Sequence, residues 1–300
     1  MTSAWAARSE ALWVEAPQLG TLAIAGADRR SWLNGLCTAD VAKLGPETAS
    51  YGLILVKIGR IVTDVFIVDA KDRILLGVPR DRVALVREHF EKYIIMEDVT
   101  HDDASAEFAW AHGHGPLAES LAVELAAKHA GFGGAVDLTG LGGAVVVVPT
   151  ASAEALWADL GAREGVVLGS EADWDALRVH RTFPRFGVDF GEKNYPQEAA
   201  LEKIAVSFNK GCYLGQEVVC RLEMRGHVIK KIAPVRLAEG ALPSVGAEVL
   251  SADGKPVGAV SSAASDPAGP LALAMLRVDF TEPGTKVFVG GREATVLAGR

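Results

Sequence analysis

Residues 51–56 and 61–68 are strand-like apolar runs, and the four residues between them, Lys57-Ile58-Gly59-Arg60, put a glycine at the turn. The spacing predicts a β-hairpin. In its second strand Val62, Asp64, Phe66 and Val68 are expected on one face, and Ile61, Thr63, Val65 and Ile67 on the other. Asp64 is then a carboxylate on an apolar face. It must be paired, sit at an edge or look into a polar pocket, because burying it alone is costly. Upstream, Asp28 reads as a helix N-cap ahead of Trp32, Leu33 and Leu36, which share a helical face. Downstream, residues 74–78 read as a third strand ended by Pro79, and 81–92 as a helix through Val83, Val86 and Phe90.

Beyond Asp98, short strands at 108–111 and 144–148 alternate with helices at 116–130 and 151–160. The tracts Gly131-Phe132-Gly133-Gly134 and Gly140-Leu141-Gly142-Gly143 do not precede a helix as a dinucleotide fingerprint does, and read as turns. Ser170 opens a further helix, with Asp173 completing a capping-box pair and Trp174 and Leu177 facing inward. Residues 204–208 read as a strand and 218–222 as helix, followed by a break at Met224-Arg225-Gly226-His227. From residue 228 the texture changes to six short runs, at 228–237, 248–251, 255–262, 271–277, 286–289 and 292–297, with tight turns at Asp253-Gly254 and Gly290-Gly291. Such runs close most economically into a barrel, which leaves no exposed sheet edge. The expected fold class is α+β, built from hairpins rather than regular βαβ crossovers: two α+β lobes in residues 1–227, then a small C-terminal antiparallel β-barrel in 228–300.

Reactive side chains concentrate in Lys210-Gly211-Cys212-Tyr213-Leu214-Gly215-Gln216-Glu217, between the expected strand and helix. The two glycines permit a tight turn and a close approach of backbone to ligand. A helix starting here would aim free N–H groups and the positive end of its dipole at an anion or a thiolate. With Lys210 two residues away, that field would favour the ionised form of Cys212. The alternative is that Cys212 is a small packing residue and the glycines only shape the turn. Arg221 and Arg225, four residues apart, share a helix face suited to carboxylates.

The octet matches the pattern K-G-C-Y-x-G-Q-E, and in this the chain resembles the YgfZ family, folate-binding relatives of the glycine-cleavage T-protein that assist iron–sulfur cluster assembly or repair. Other segments are similar in the family's order: Asp28 through Trp32-Leu33 into Thr38-Ala39-Asp40-Val41, the K-x-G-R-I-x-x-D of residues 57–64, the stretch from Arg178 to Glu198, and the terminal barrel. The resemblance implies three lobes around a central opening, the first two of the T-protein/YgfZ folate-binding type, with tetrahydrofolate or a one-carbon derivative as cofactor. It makes Asp64, Arg178, His180, Glu198, Lys210, Gly211, Tyr213, Gly215, Gln216, Glu217, Arg221 and Arg225 candidate cofactor contacts and Cys212 a candidate reactive thiol. Two positions depart from the T-protein. Thr63-Asp64 stands where that protein has two aspartates, and His180 stands where a glutamate pairs with the pteridine ring. A neutral imidazole does not offer the same bidentate acceptor. The expected function is a folate-binding factor that supports iron–sulfur client or assembly proteins. The alternatives are a tetrahydrofolate-dependent methyl or aminomethyl transferase and a non-catalytic scaffold.

Charge and cysteine content narrow this further. The net charge of −8 argues against general nucleic-acid binding. Yet residues 178–236 hold eleven Lys/Arg against six Asp/Glu, a local +5 that leaves −13 for the rest. That patch suits an anionic small molecule such as a polyglutamylated folate, or is a solvated face laced with local salt bridges. Cys37, Cys212 and Cys220 are the only cysteines and form no Cys-x-x-Cys, so neither a disulfide framework, a zinc ribbon nor a four-cysteine cluster set is expected. A reducing compartment fits this usage. No apolar run reaches the roughly 18 residues of a membrane span, and the N-terminus lacks a signal-peptide core. The expectation is a cytoplasmic protein without a membrane segment.

Overall fold

The computed structural model describes residues 3–45, 48–226, 228–266 and 268–299. His227, in the expected break after Met224, lies outside the described residues. In chain order the strands of the first two thirds are β1 (Ala11–Glu15), β2 (Leu19–Ala25), β3 (Ala49–Leu55), β4 (Ile61–Asp69), β5 (Arg73–Pro79), β6 (Thr100–Asp103), β7 (Phe108–His114), β8 (Phe132–Ala135), β9 (Gly143–Pro149) and β10 (Val166–Gly169). The helices are α1 (Arg29–Asn34), α2 (Val83–Glu91), α3 (Ala118–Lys128), α4 (Ala153–Gly161), α5 (Glu171–His180) and α6 (Gln216–Met224). The last third holds β11 (Lys230–Leu237), β12 (Glu248–Leu250), β13 (Pro256–Ala264), β14 (Leu271–Arg277), β15 (Lys286–Val289) and β16 (Arg292–Val296).

Two five-stranded sheets, ordered β3-β4-β5-β2-β6 and β10-β1-β7-β9-β8, precede a closed barrel ordered β11-β14-β13-β12-β15-β16. Leu53, Val68 and Leu75 of the first sheet share one apolar cluster with Leu12, Val14, Val145 and Val147 of the second, so the sheets bury their facing sides together. The outer faces are covered by helices. Trp32, Leu33, Val83, Val86 and Phe90 of α1 and α2 pack on Ile54, Val65 and Ile67. Ala122, Leu125, Leu156 and Leu160 of α3 and α4 pack on Trp13, Val146 and Val148. The barrel encloses its own core, including Val235, Leu237, Val249, Leu276 and Val287. The result is the expected α+β class, two mixed lobes and a closed six-stranded antiparallel barrel.

Several local expectations are corrected. The two faces of β4 are not those of strict alternation, because the β3–β4 register shifts between Ile54 and Leu55, which pair with Thr63 and Ile61. That bulge turns Ile61 to the side of Phe66 and Val68, and sends Val62 to the side of Val65 and Ile67. Gly131-Phe132-Gly133-Gly134 leads into the edge strand β8 rather than forming only a turn. A Cβ on Gly133 would meet Val145 O at 2.6 Å, so glycine is what permits this close pairing. Strands β1, β2, β6 and β10 were not expected, and β1 pairs with β10 in parallel. Asp28 stands at the N-cap of α1 without capping it by its side chain, and accepts a bond from Asp98 N at 2.9 Å instead.

Residues 204–208 do not form a strand. Ile204 N and Ala205 N bond back to Leu201 O, making a turn, and the segment then meets the loop after α1 through Thr38. Thr38 is fully buried; its hydroxyl donates to Ala205 O at 2.5 Å and its carbonyl accepts from Ser207 N at 2.9 Å. The capping box at Ser170 and Asp173 forms as expected and starts α5. Among the described residues, no helix is long and apolar enough to cross a membrane.

Candidate functional site

A cavity of about 250 Å³ opens between the two sheets, walled by Asp64 and Phe66 of β4, Tyr51 of β3, His112 of β7, Trp174 of α5 and the following segment with Phe183 and Arg185. Asp64 faces it because β4 runs beside β3 with Leu53 directly opposite Asp64 and Tyr51 opposite Phe66. Tyr51 is thus diagonal to Asp64 on the same face, within reach of a long side chain. Its hydroxyl donates to Asp64 Oδ2 at 2.8 Å. Burial holds the Asp64 carboxyl above its ordinary range, while the Tyr51 hydroxyl and the Arg185 charge pull the other way. Burial and the adjacent carboxylate push the Tyr51 phenol well up, so it remains a donor.

Aromatic rings make the remaining wall. Tyr51 and Phe183 lie edge to face at 5.6 Å, and Phe183 and Trp174 are tilted against each other at 5.9 Å. The segment carrying Phe183, Arg185 and Phe186 is held by one buried carboxylate, Asp189. It accepts from Arg178 Nη1 at 2.7 Å, Arg185 N at 2.8 Å, Ser261 Oγ at 2.6 Å and Ser262 Oγ at 2.7 Å. This knot ties α5, the cavity wall and barrel strand β13 together. The Arg185 side chain reaches Glu171 at 2.7 Å and lies 3.4 Å from Asp175, leaving a cation at the cavity wall. A larger cavity of about 380 Å³ lies toward α4, but Glu15 and Arg80 are its only charged wall residues. The smaller one has the convergent polar groups that a specific ligand requires.

The other candidate residues fall elsewhere. Arg178, 2% exposed, spends its guanidinium on Asp175, Asp189 and Ser262 and does not line the cavity. His180 faces the barrel, with Nε2 2.9 Å from Ser265 O and Nδ1 3.0 Å from Asp266. Burial pulls its pKa down, against Ser265 and Asp266. Glu198 accepts from Asn194 Nδ2 and Tyr195 N, both at 3.1 Å, beside Arg60 of the β3–β4 turn. Arg221 and Arg225 are exposed, on and just after α6.

The octet docks on the loop after α1. Lys210 Nζ donates to Asn34 O, Cys37 O and Ala39 O at 2.6, 2.9 and 2.6 Å, so all three ammonium hydrogens are used. Leu214 N adds a bond to Gly35 O at 2.9 Å. Tyr213 is buried with its hydroxyl unpartnered, and burial pushes its phenol up. Gly215 takes φ 82° as the N-cap of α6, which begins at Gln216 and Glu217. Gly211 borders open space, and Cys212 is exposed four residues before the first helical residue. Among the described residues no group of three or more His, Cys, Asp or Glu side chains converges as a metal site.

Sequence reasoning passed over Tyr51, His112, Phe183 and Arg185 and read Trp174 only as core. Tyr51 was findable from the hairpin register. The others come from distant elements and carry no local signal.

Comparison with known proteins agrees with this architecture. Residues 2–136 match the GCVT N-terminal domain and residues 229–298 the CAF17 C-terminal β-barrel domain. The aminomethyltransferase of Chlorobium chlorochromatii is 27% identical over 317 residues, covering 96% of this chain and 85% of that protein. A putative chloroplastic transferase of Arabidopsis thaliana is 24% identical, covering 92% of this chain and 68% of its own. The crystal structure of glycine cleavage system aminomethyltransferase T from Bartonella henselae superposes with a TM-score of 0.81 at 19% identity, over 99% of this chain and 87% of that one. The chain therefore belongs with proteins that join a GCVT N-terminal domain to a CAF17 C-terminal β-barrel domain, consistent with the YgfZ resemblance of its octet.

Proposed function

We propose that the Asp64 cavity binds the ring end of tetrahydrofolate or a one-carbon derivative, and that the protein supports assembly or repair of iron–sulfur clusters in client enzymes. The observation that carries the reading is Asp64 itself, a carboxylate bonded to Tyr51 inside an aromatic-walled cavity between the two sheets. The residues fit the group. Aromatic side chains suit a flat bicyclic ring, Asp64 suits a ring-edge N–H donor, and Arg185 supplies a cation. At about 250 Å³ the cavity lies below the roughly 300–1,000 Å³ of sites that enclose a whole drug-sized ligand, so the ring enters and the anionic tail stays outside. Arg221 and Arg225 are candidates for that tail, and the exposed octet residues Gly211, Cys212 and Glu217 for the surface a client meets.

When bound, a reduced folate would supply one-carbon chemistry, and this chain's own part is to orient the ring, exclude water and accept a ring-edge N–H at Asp64. Cys212 is the accessible thiol through which the client role would run. The exposed Cys212 and the three free cysteines fit work in a reducing compartment, the cytoplasm in our reading. One-carbon transfer is a second reading, supported by the similarity to aminomethyltransferases across nearly the whole chain. Calorimetric titration of 5-formyltetrahydrofolate tests the binding. Restoration of iron–sulfur enzyme activity in deficient cells by wild type but not by Cys212→Ser tests the client role, and a one-carbon transfer assay tests the second reading.

A further inference from the structure

Strand β7 places His112 and His114 on the same face, two residues apart, and both are buried, 4% and 1% exposed. His112 Nδ1 lies 2.7 Å from His114 Nε2, so one of these nitrogens donates and the other accepts. The His114 ring is stacked on Trp174 at 4.2 Å with planes 4° apart, and that contact fixes its orientation. Its Nδ1 is enclosed and has no partner. His112 lines the cavity beside Asp64, and among the described residues its only hydrogen-bond partner is His114.

Two arrangements satisfy the short contact. If His112 donated from Nδ1, His114 would carry its own proton on Nδ1, an enclosed N–H with no acceptor, which is costly to leave unpaired. If His114 donates from Nε2, its Nδ1 keeps only a bare lone pair, and the His112 proton sits on Nε2. We infer that His114 is a positioning residue that holds His112 as its Nε2–H tautomer, making His112 a hydrogen-bond donor to a carbonyl or ring-nitrogen acceptor of the ligand that Asp64 engages. Burial supports the neutral state of both rings, holding His112 down to about 4 and His114 well below the ordinary histidine range. Asp64 takes the Tyr51 hydroxyl at Oδ2 and presents its carboxyl to the same cavity, so acceptor and donor are offered by different walls. A heteroaromatic ring with both kinds of group on its edges answers that pair; one lacking the acceptor would leave the His112 N–H unpaired.

The ligand's identity rests on the folate reading above; the tautomer does not. Long-range 1H–15N spectra of the full chain labelled at its seven histidines, assigned with His112→Phe and His114→Phe, read the tautomers directly. The expected pattern is Nε2–H on both rings at neutral pH. An Nδ1–H pattern or a charged ring at His112 overturns the inference whether or not folate binds. With 5-formyltetrahydrofolate as probe, His114→Leu frees His112 to exchange tautomers and weakens binding about three- to tenfold. His114→Gln, whose amide N–H replaces the imidazole donor, restores both the His112 signature and the affinity. Equal affinity for His114→Leu and wild type contradicts the positioning role. A wild type that does not bind the probe sinks the folate reading alone, and the spectrum still decides the tautomer.

Discussion

Gly59, at the turn between β3 and β4, lies against Gly215, which precedes α6 with φ 82°. A Cβ on Gly215 would come within 2.7 Å of Val56 O and 3.0 Å of Gly59 Cα, both backbone. The hairpin that carries Asp64 and the octet that carries Cys212 are therefore packed turn against turn. Gly215→Ala should cost about 1–3 kcal/mol, from positive-φ strain and backbone overlap. Gly211→Ala, facing open space, should stay within about 0.5 kcal/mol of wild type. Chemical denaturation of the two variants checks the contrast, and equal losses would contradict this packing.

Lys210 closes the same junction from the other side. Lys210→Met removes three bonds from a charged donor and strands three carbonyls, at a cost of about 2–3 kcal/mol in the same measurement. Lys210→Arg should not restore it, because a planar guanidinium cannot aim three hydrogens into one carbonyl cage.

Exposure orders the cysteines. Cys212 is open to solvent, Cys220 is half-exposed with its thiol pushed up by burial and Glu223, and Cys37 is buried with its thiol pushed up to about 11. Alkylation near neutral pH, followed by mass spectrometry, should label Cys212 first and Cys37 last. Cys212→Ser should melt like wild type, since the thiol fills no core space. Slow labelling of Cys212 together with clear destabilisation would make it a packing residue.

The Arg178–Asp189 pair is buried on both sides, with side chains 3% and 0% exposed. Arg178→Met leaves Asp189 charged without its cation and should cost about 3–5 kcal/mol. Loosening this knot also frees the Phe183–Arg185 wall, so ligand affinity should fall although Arg178 does not line the cavity. A variant as stable as wild type would remove the proposed anchor.

These residues also mark how far the sequence could be read. Short runs and tight turns in residues 228–300 located the barrel strands, because half of the barrel's pairings join strands adjacent in the chain. Strands β1 and β10 were invisible because their parallel pairing joins Ala11 to Val166, a contact without a local pattern. The apolar run at 204–208 was misread because its backbone is satisfied by single bonds to Thr38 rather than by a ladder. Asp64 was conspicuous as an acid in an apolar strand. Its neighbours His112 and Arg185 reach it only through packing of the second sheet and α5.

Asp64 also makes a pH-dependent mark on stability. Its folded pKa is raised above the ordinary 3.8, so the folded state holds its proton more tightly than the unfolded chain. The resulting penalty is fully present above the folded pKa and is relieved as pH falls through it toward 3.8. Asp64→Asn should therefore melt slightly higher than wild type at neutral pH, and the difference should shrink on acidification. A gap that widens toward acid would mean the carboxylate is stabilised by folding.

The most direct test of the folate reading is calorimetric titration of 5-formyltetrahydrofolate into wild type and Asp64→Asn at one pH and salt concentration. The account predicts saturable one-to-one binding to wild type and about 10- to 100-fold weaker binding to the variant, which is no less stable, the loss of a charge-assisted hydrogen bond. Absence of binding to wild type, or the same affinity for both proteins, would contradict it.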